Sequence, residues 1–252
     1  MRRRSLLWAP VAGLLGAAER VPVAATPISR IDTPWWRARH LEKLAQLRNG
    51  RVDLIWLGDS ITQDWELNGP EEWREFAPVW QHFYGNRHAV NLGFKGDSTS
   101  HLLWRMENGE IDGIQPKAAV VLIGANDLGR VHWNAEQTVA GIEAVIALLR
   151  QRLPMTKILL LGVLPSIRSK YVSQTTRQIN AELASRFGSR EDVTYIDVSP
   201  IFLRGTEVDR TKFLDDLLTP PDPPLHPTAQ AQRQIAEAIE PTLAAMLADR
   251  CR

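Results

Sequence analysis

Two hydrophobic runs near the middle of the chain constrain its fold more than any other feature. Residues Ala118–Ile123 and Ile158–Val163 contain no polar side chain. A strand that is apolar on both faces is typical of a parallel sheet covered by helices on each side. Between the two runs, Ala135–Leu153 carries apolar residues at helical spacing. This spacing predicts the crossover helix that joins a parallel pair of strands.

The same alternation of strand-like and helix-like segments extends through the rest of the chain. Further strands are predicted at Val52–Leu57, His88–Leu92 and Val193–Val198. Further helices are predicted at Trp36–Leu47, Glu71–Phe83, Ser98–Asn108, Val172–Phe187 and Thr228–Leu247. About five parallel strands flanked by helices make a three-layer α/β/α sandwich. The proline-rich stretch Phe202–Pro227 is expected to be a loop, because proline fits neither a helix interior nor a central strand.

Composition excludes several classes of protein. A chain of 252 residues with 44% hydrophobic content can bury one large core, so a single domain is expected. Thirty basic residues balance 29 acidic ones, and no basic stripe suits a phosphate backbone, so we expect no nucleic-acid partner. The single cysteine, Cys251, allows neither an intrachain disulfide nor a thiolate cluster for a metal.

The first 25 residues have the pattern of a secretory signal. Arg2–Arg4 are followed by the nearly uncharged stretch Ser5–Ala18 and then by the small residues Val23–Ala25, an order that matches n-region, h-region and cleavage site. The apolar stretch is too short to anchor the chain in a bilayer. We therefore expect a signal peptide at residues 1–25, a domain at residues 26–252, and a periplasmic or secreted location. A frayed N-terminal extension on a cytoplasmic protein is the alternative.

Polar residues that suit one chemistry follow three of the predicted strands. Ser60 follows the first strand, the loop Gly93–Asp97 follows the second, and Asn126 follows the third, while His226 precedes the last helix. The carboxyl ends of parallel strands meet at one edge of the sheet, so these groups are expected to converge there. Each also has an ordinary explanation as a helix cap, a turn residue or a surface histidine. Their joint occurrence in this order indicates a catalytic site.

The chemistry that these groups suit is attack on an ester. A serine hydroxyl needs a base that takes its proton, and a histidine can do so. The negative charge that develops on the carbonyl oxygen needs donors already in position. The backbone N–H groups of Ser60 and of a loop glycine, with the amide of Asn126, are the candidates. Such a reaction needs no metal and no organic cofactor.

The four sequence blocks resemble those of the SGNH (GDSL-type) hydrolases. They are Gly58-Asp59-Ser60, Gly93–Asp97, Gly124–Asp127 and His226. The longer string from Asn91 to Glu110 is similar to the branch that contains the catalytic subunits of intracellular platelet-activating-factor acetylhydrolase. The resemblance implies a flavodoxin-like SGNH hydrolase fold, a compact acyl group on the substrate and a possible homodimer.

The resemblance also implies a role for each matching residue. Ser60 would be the nucleophile and His226 the base. Gly96, rather than Gly93, would be the oxyanion-hole glycine, with Asn126 as the side-chain donor. The chain departs from the family at the triad carboxylate, which the family places three residues before the histidine, where this chain has Pro223.

Three interpretations of the missing carboxylate are open. Asp222 reaches His226 through a rearranged loop, or Asp215 or Asp216 does so, or a backbone carbonyl orients the ring of a Ser-His dyad. Asp222 is the favoured residue. Without a carboxylate the imidazole loses its tautomer control, so the enzyme would be slower.

These observations predict a serine esterase that removes a short acyl group, most simply acetyl, through an acyl-enzyme intermediate. Its substrate would be a small-molecule or carbohydrate ester. The alternatives are an acyltransferase acting on a sugar hydroxyl and a catalytically silent binding protein. Of the charged residues near the motifs, Arg105 and Glu107 are expected on a helix face, and Asp59 and Asp127 as hydrogen-bonding turn or loop residues.

Overall fold

The structure, a computed structural model, describes residues 21–69, 75–215 and 223–251. The five main strands are β1 Leu54–Gly58, β2 Ala89–Gly93, β3 Ala118–Leu122, β4 Lys157–Leu161 and β5 Val193–Ile196. The helices are α1 Pro34–Asn49, α2 Ser60–Gln63, α3 Phe76–Tyr84, α4 Thr99–Arg105, α5 Ala125–Gly129, α6 Ala135–Arg152, α7 Lys170–Phe187 and α8 Ala229–Leu247. A short hairpin, β6 Leu203–Arg204 and β7 Glu207–Val208, lies in the segment predicted to be a loop.

The five main strands form one parallel sheet in the order β2-β1-β3-β4-β5. The chain therefore passes from β1 to β2 on one side of it, and then crosses back over β1 to form β3 on the other side. In the register, Gly58 is level with Gly93 on one side and with Leu122 on the other. This reversal of strand order opens a crevice at the carboxyl ends of the strands, which is where open α/β sheets bind their ligands.

Alternate residues of each strand face opposite helical layers. Ile55 and Leu57 of β1 pack in the cluster that includes α4, α6 and α7. Leu54 and Trp56 pack in the other cluster, which includes α3 and α8. Each such buried side chain contributes about 1.5–3 kcal/mol relative to an exposed one. The predicted three-layer α/β/α sandwich is confirmed.

Two elements differ in detail from their predicted bounds. The helix predicted at Ser98–Asn108 is α-helical only to Arg105 and continues as a wider π turn over Met106–Glu110. Gly109 ends this turn with a φ of 109°, a conformation that suits glycine. The helix predicted to begin at Glu71 begins at Phe76, with Glu75 as its N-cap, and residues 70–74 lie outside the described part.

The segment before β1 packs on the same domain. Val23–Ala25 forms a single 3₁₀ turn in which Ala24 is buried. The carbonyl oxygen of Ala24 accepts a hydrogen bond from Thr99 Oγ1 at 2.9 Å. Residues 1–20, which carry most of the predicted signal peptide, lie outside the described residues. No helix in the described part combines the length and apolar character that a membrane crossing requires.

Candidate active site

The turn after β1 places a serine at a crowded position. Ser60 is the first residue of α2, and the preceding Asp59 caps that helix by accepting the backbone N–H of Ile61 at 2.9 Å. A side chain at position 58 would overlap Thr62 Oγ1 and the carbonyl of Leu122, so only glycine fits there. The strand therefore passes directly into the helix, and Ser60, 7% exposed, stands at the carboxyl end of β1.

His226 lies directly beside this serine. Its Nε2 is 3.0 Å from Ser60 Oγ, although 166 residues separate the two in the chain. A backbone pairing places it there: the N–H of Leu214 donates to the carbonyl of His226 at 2.8 Å, and Phe213 forms an antiparallel bridge with Pro227. The segment before α8 is thus held in an extended conformation against an earlier part of the same loop.

The same pairing places a carboxylate behind the imidazole. Asp215 Oδ1 is 2.9 Å from His226 Nδ1, and Oδ2 accepts the backbone N–H groups of Leu225 at 2.7 Å and of His226 at 2.6 Å. A carboxylate at Nδ1 keeps the hydrogen on that nitrogen, so Nε2 is free to accept the serine proton. Oγ–H of Ser60 therefore donates to Nε2 in this arrangement.

The preference for Asp222 is not tested by the described residues, but one of its alternatives, Asp215, lies at the imidazole. Asp222 and Asp216 lie outside the described residues, whereas Nδ1 of His226 is bonded to Asp215, one of the stated alternatives. The reason is the bridge between Phe213 and Pro227, which brings residue 215 level with residue 226. A dyad oriented only by a backbone carbonyl does not describe this geometry.

Gly96 and Asn126 line the same cavity as the serine, beyond the ends of the neighbouring strands. The N–H of Asp97 donates to the carbonyl of Phe94 at 3.2 Å, closing a turn in which Gly96 has a φ of 75°. Asn126 lies in α5, and its Nδ2 donates to the carbonyl of Asp97 at 3.0 Å. The β2 and β3 loops are therefore tied to each other beside Ser60.

Gly93, unlike Gly96, packs against the backbone of α2. A side chain at position 93 would overlap the backbone N of Gln63, so glycine is needed where β2 passes α2. The side chain of Asn91 holds β2 and α2 together at this point. Its Oδ1 accepts a hydrogen bond from the N–H of Gly93 at 2.8 Å, and its Nδ2 donates one to the carbonyl of Thr62 at 2.7 Å. Gly93 thus serves the packing of the turn.

Ser60, Gly96, Asn126 and His226 share the wall of one cavity of about 350 Å³. Its other lining residues are Asp64, Lys95, Arg130, Arg168 and Leu225. A larger hollow, of about 620 Å³, lies elsewhere, between α6, β4 and α8. That hollow is lined by none of the predicted catalytic residues, so the smaller cavity is the candidate active site.

Buried charges around this cavity shift several pKa values. Burial lowers the pKa of His226, but the hydrogen bond to Asp215 and the charges of Asp64, Asp215 and Asp59 raise it above its ordinary value. Burial acts to raise the pKa of Asp215, yet its bonds to His226 and to two backbone N–H groups keep it below the ordinary value. Burial raises the pKa of Asp59 to about 7 and that of Asp64 to about 6. The imidazole is therefore surrounded by negative charge that favours its protonated form.

Comparison with known proteins shows the family of the chain. The model of the GDSL-like lipase/acylhydrolase family matches residues 56–234, which include the serine turn, the glycine loop, Asn126 and His226. The chain belongs to this family. It is therefore an esterase-type hydrolase with an SGNH fold, as the sequence resemblance predicted.

Curated relatives of this acylhydrolase include subunits of one enzyme. The human platelet-activating factor acetylhydrolase IB subunit alpha1 is 33% identical over 172 residues, which cover 67% of this chain and 68% of the relative. The chicken (Gallus gallus) subunit alpha2 is 33% identical over 185 residues, which cover 73% of this chain and 74% of the relative.

Solved structures show the same fold at lower identity. A GDSL-like lipase from Bacteroides thetaiotaomicron aligns with a TM-score of 0.64 at 17% identity, covering 82% of this chain and 97% of that one. A carbohydrate esterase family 3 protein from Talaromyces cellulolyticus aligns with a TM-score of 0.58 at 16% identity, covering 79% of this chain and all of that one.

A buried ion network supports the active site of this acylhydrolase from beneath. Arg105, which was expected on a helix face, lies on the buried face of α4 and is fully buried. Its guanidinium donates to Asp97 Oδ2 at 2.8 Å, to Glu110, and to the carbonyls of Leu92 at 3.1 Å and Gly58 at 3.2 Å. One side chain thus joins the ends of β1 and β2 to the glycine loop.

Residues before β1 complete this network. Asp97 Oδ1 accepts hydrogen bonds from Arg30 Nη1 and from Trp36 Nε1, both at 2.8 Å. The sequence did contain a sign of the network, because Arg105 falls three residues after Leu102 and one before Met106, on the apolar face of the helix.

The remaining polar residues near the motifs have the structural roles expected of them. The carboxylate of Asp127 accepts hydrogen bonds from Thr99 Oγ1 at 2.6 Å and from the Thr99 N–H at 3.1 Å. Burial raises the pKa of Asp127 to about 6. Sequence analysis did not place Lys95, Arg130 or Arg168 in the site, because they lie in or beside loops where no periodicity locates a side chain. Among the described residues, no group of His, Cys, Asp or Glu is arranged to hold a metal ion.

Proposed function

We propose that this acylhydrolase hydrolyses esters of short acyl groups, with acetyl as the preferred one, through an acyl-enzyme intermediate on Ser60. The observation that carries the proposal is the hydrogen-bonded line from Ser60 Oγ to His226 Nε2 at 3.0 Å and from His226 Nδ1 to Asp215 Oδ1 at 2.9 Å. Ser60 and His226 lie in the wall of the cavity that Gly96 and Asn126 also line.

In the first step, Ser60 Oγ attacks the carbonyl carbon of the ester and its proton passes to His226 Nε2. The carbonyl oxygen becomes an oxyanion, which accepts hydrogen bonds from the backbone N–H groups of Ser60 and Gly96 and from Asn126 Nδ2. The bond to the alcohol oxygen then breaks. His226 returns the proton to that oxygen, and the alcohol leaves.

In the second step, water attacks the acyl-serine and gives a proton to His226 Nε2. The bond between the acyl carbon and Ser60 Oγ breaks, and the proton returns to Oγ as the carboxylic acid leaves. Asp215 keeps the imidazole in the required tautomer and stabilises the imidazolium in both steps. No metal or organic cofactor takes part.

The choice of acyl and alcohol groups in this proposal is supported by the size of the cavity and by the relatives. A cavity of about 350 Å³ suits a small ester. Two curated relatives are acetylhydrolase subunits, and one solved structure of the same fold is a carbohydrate esterase. An acetylated carbohydrate is therefore the natural substrate to test first, beside simple acetyl esters.

A burst experiment tests the proposal. With p-nitrophenyl acetate, we expect a burst of p-nitrophenol that is stoichiometric with enzyme and disappears in Ser60→Ala. Ser185→Ala, which removes an exposed serine on α7, is the matched control and should keep the burst. Absence of turnover above buffer would leave only a silent binding protein. Product diverted to an added sugar alcohol would instead indicate an acyltransferase.

The signal pattern at residues 1–25 supports a further proposal, that the protein acts outside the cytoplasm. Fractionation of cells that express the full chain tests it, with the N-terminus of the mature protein determined by sequencing. An intact N-terminus on a cytoplasmic protein would contradict it.

A further inference from the structure

A buried carboxylate in the wall of the cavity takes no part in the mechanism above. Asp64 follows Ser60 by four residues, at the point where α2 passes into a short 3₁₀ turn. It is 2% exposed, and its Oδ1 has no hydrogen-bond partner within the described part of the chain. Lys95 Nζ is 4.0 Å from this oxygen, which is beyond hydrogen-bond distance.

An acceptor that is buried without a hydrogen bond is costly, and most such atoms have a partner. Asp64 is one of the residues that line the catalytic cavity, together with Ser60 and His226. A donor on a bound substrate would supply the missing hydrogen bond. The pKa of about 6 leaves this carboxyl largely ionised at neutral pH, so it acts there as an acceptor.

The position of Asp64 indicates which part of the substrate it meets. Asp64 and His226 line the same cavity, and the charge of Asp64 is among those that raise the pKa of His226. His226 Nε2 gives its proton to the oxygen of the departing alcohol. In the proposed reaction the alcohol oxygen therefore lies at His226, in the same cavity that Asp64 lines.

We propose that Asp64 is a specificity-determining residue that accepts a hydrogen bond from a free hydroxyl of the alcohol, next to the ester oxygen. Esters of sugars and other polyols then react in preference to esters of simple alcohols. This inference rests on the proposed function. The ammonium group of Lys95, half exposed beside Asp64, keeps the carboxylate ionised while the hydroxyl binds.

The effect of the hydroxyl follows from the strength of the bond. A hydrogen bond to a charged group, made where water is largely excluded, changes kcat/KM by about 10- to 100-fold when the substrate lacks the donor. A methyl ether in place of the hydroxyl keeps the oxygen and the electronic effect on the leaving group but removes the hydrogen. The ratio of the two kcat/KM values therefore isolates this contact.

The experiment compares 2-hydroxyethyl acetate with 2-methoxyethyl acetate. For the native enzyme we expect kcat/KM to be about 10- to 100-fold higher for the hydroxy ester. In Asp64→Leu the ratio should fall to about one, and in Asp64→Asn, which keeps one acceptor oxygen and the shape, it should fall several-fold. Asp112→Asn, at an exposed carboxylate, is the control and should keep the native ratio.

The ratio separates a binding role from a structural one. An Asp64 that only stabilised the fold would, on replacement, slow both esters equally and leave the ratio unchanged. A native ratio near one, or an unchanged ratio in both Asp64 variants, would overturn the inference while turnover that depends on Ser60 upheld the proposed function. Absence of Ser60-dependent turnover of either ester would overturn the proposed function, and the inference with it.

Discussion

Replacing Asp215 with asparagine tests the proposed catalytic line at the residue that the sequence left open. Oδ2 of Asp215 accepts two backbone N–H groups, those of Leu225 at 2.7 Å and His226 at 2.6 Å. Asparagine must present its oxygen to these donors, because its NH₂ group cannot accept them. The NH₂ group then faces Nδ1 of His226, which becomes an acceptor instead of a donor.

The exchange of roles reaches the serine through the ring. When Nδ1 accepts, the hydrogen of the neutral imidazole lies on Nε2, the atom 3.0 Å from Ser60 Oγ. That tautomer cannot take the serine proton. We expect kcat to fall on the order of 10⁴-fold, the size of the effect that a wrong tautomer causes in a Ser-His-Asp triad. At about 1.36 kcal/mol per factor of ten, this is about 5.4 kcal/mol of transition-state stabilisation.

Single-turnover acylation by p-nitrophenyl acetate measures this loss directly, and circular dichroism of the variant checks that it folds. KM should change little, because Asp215 lies behind the imidazole rather than in the cavity wall. Asp222→Asn is the comparison variant. If Asp215→Asn kept more than about a tenth of the native kcat while Asp222→Asn lost as much as predicted here, the assignment of Asp215 would be refuted.

Four further predictions concern the site and its support. Asn126→Ala should lower kcat about 100- to 1000-fold with little change in KM, since it removes an oxyanion donor; equal losses in a ground-state binding assay would contradict this. Because protonated His226 cannot act as base, kcat/KM should fall as the pH drops through the pKa of His226, which lies above the ordinary value for histidine. Asp64→Asn removes a negative charge that favours the imidazolium, so it should move this limb of the pH profile to lower pH; a shift to higher pH would show the wrong sign. Arg105→Met leaves buried carboxylates without their cation and should cost about 3–5 kcal/mol in urea unfolding, whereas Arg152→Met, at an exposed ion pair, should cost less than about 1 kcal/mol.

The residues that the sequence located well are those next to strands. Ser60 and Asn126 follow apolar runs whose ends could be identified from the sequence, and the parallel sheet brings those ends together. His226 was found through the start of the last helix. In each case a local pattern determines the position of the side chain, and the three-layer fold supplies the rest.

The carboxylate was harder to predict because a long-range pairing decides it. Asp215 precedes His226 by eleven residues, and proline-rich sequence separates them. Only the antiparallel bridge between Phe213 and Pro227 selects this carboxylate, and no periodicity within the loop predicts such a bridge. The burial of Arg105 was not predicted for a related reason: its partners Asp97 and Glu110, which allow a charged side chain to be buried, could not be recognised from the sequence.

The ion network also bears on how the enzyme is processed and engineered. The family match begins at residue 56, yet Arg30 and Trp36 hold the carboxylate of Asp97, next to the glycine that lines the same cavity as the serine. An expression fragment cut to the family boundaries would therefore lose part of the support of its own catalytic loop. Removal of residues 1–25 leaves Arg30 in place, whereas a cut after residue 30 removes one of the two donors to Oδ1 of Asp97 without touching a residue of the cavity.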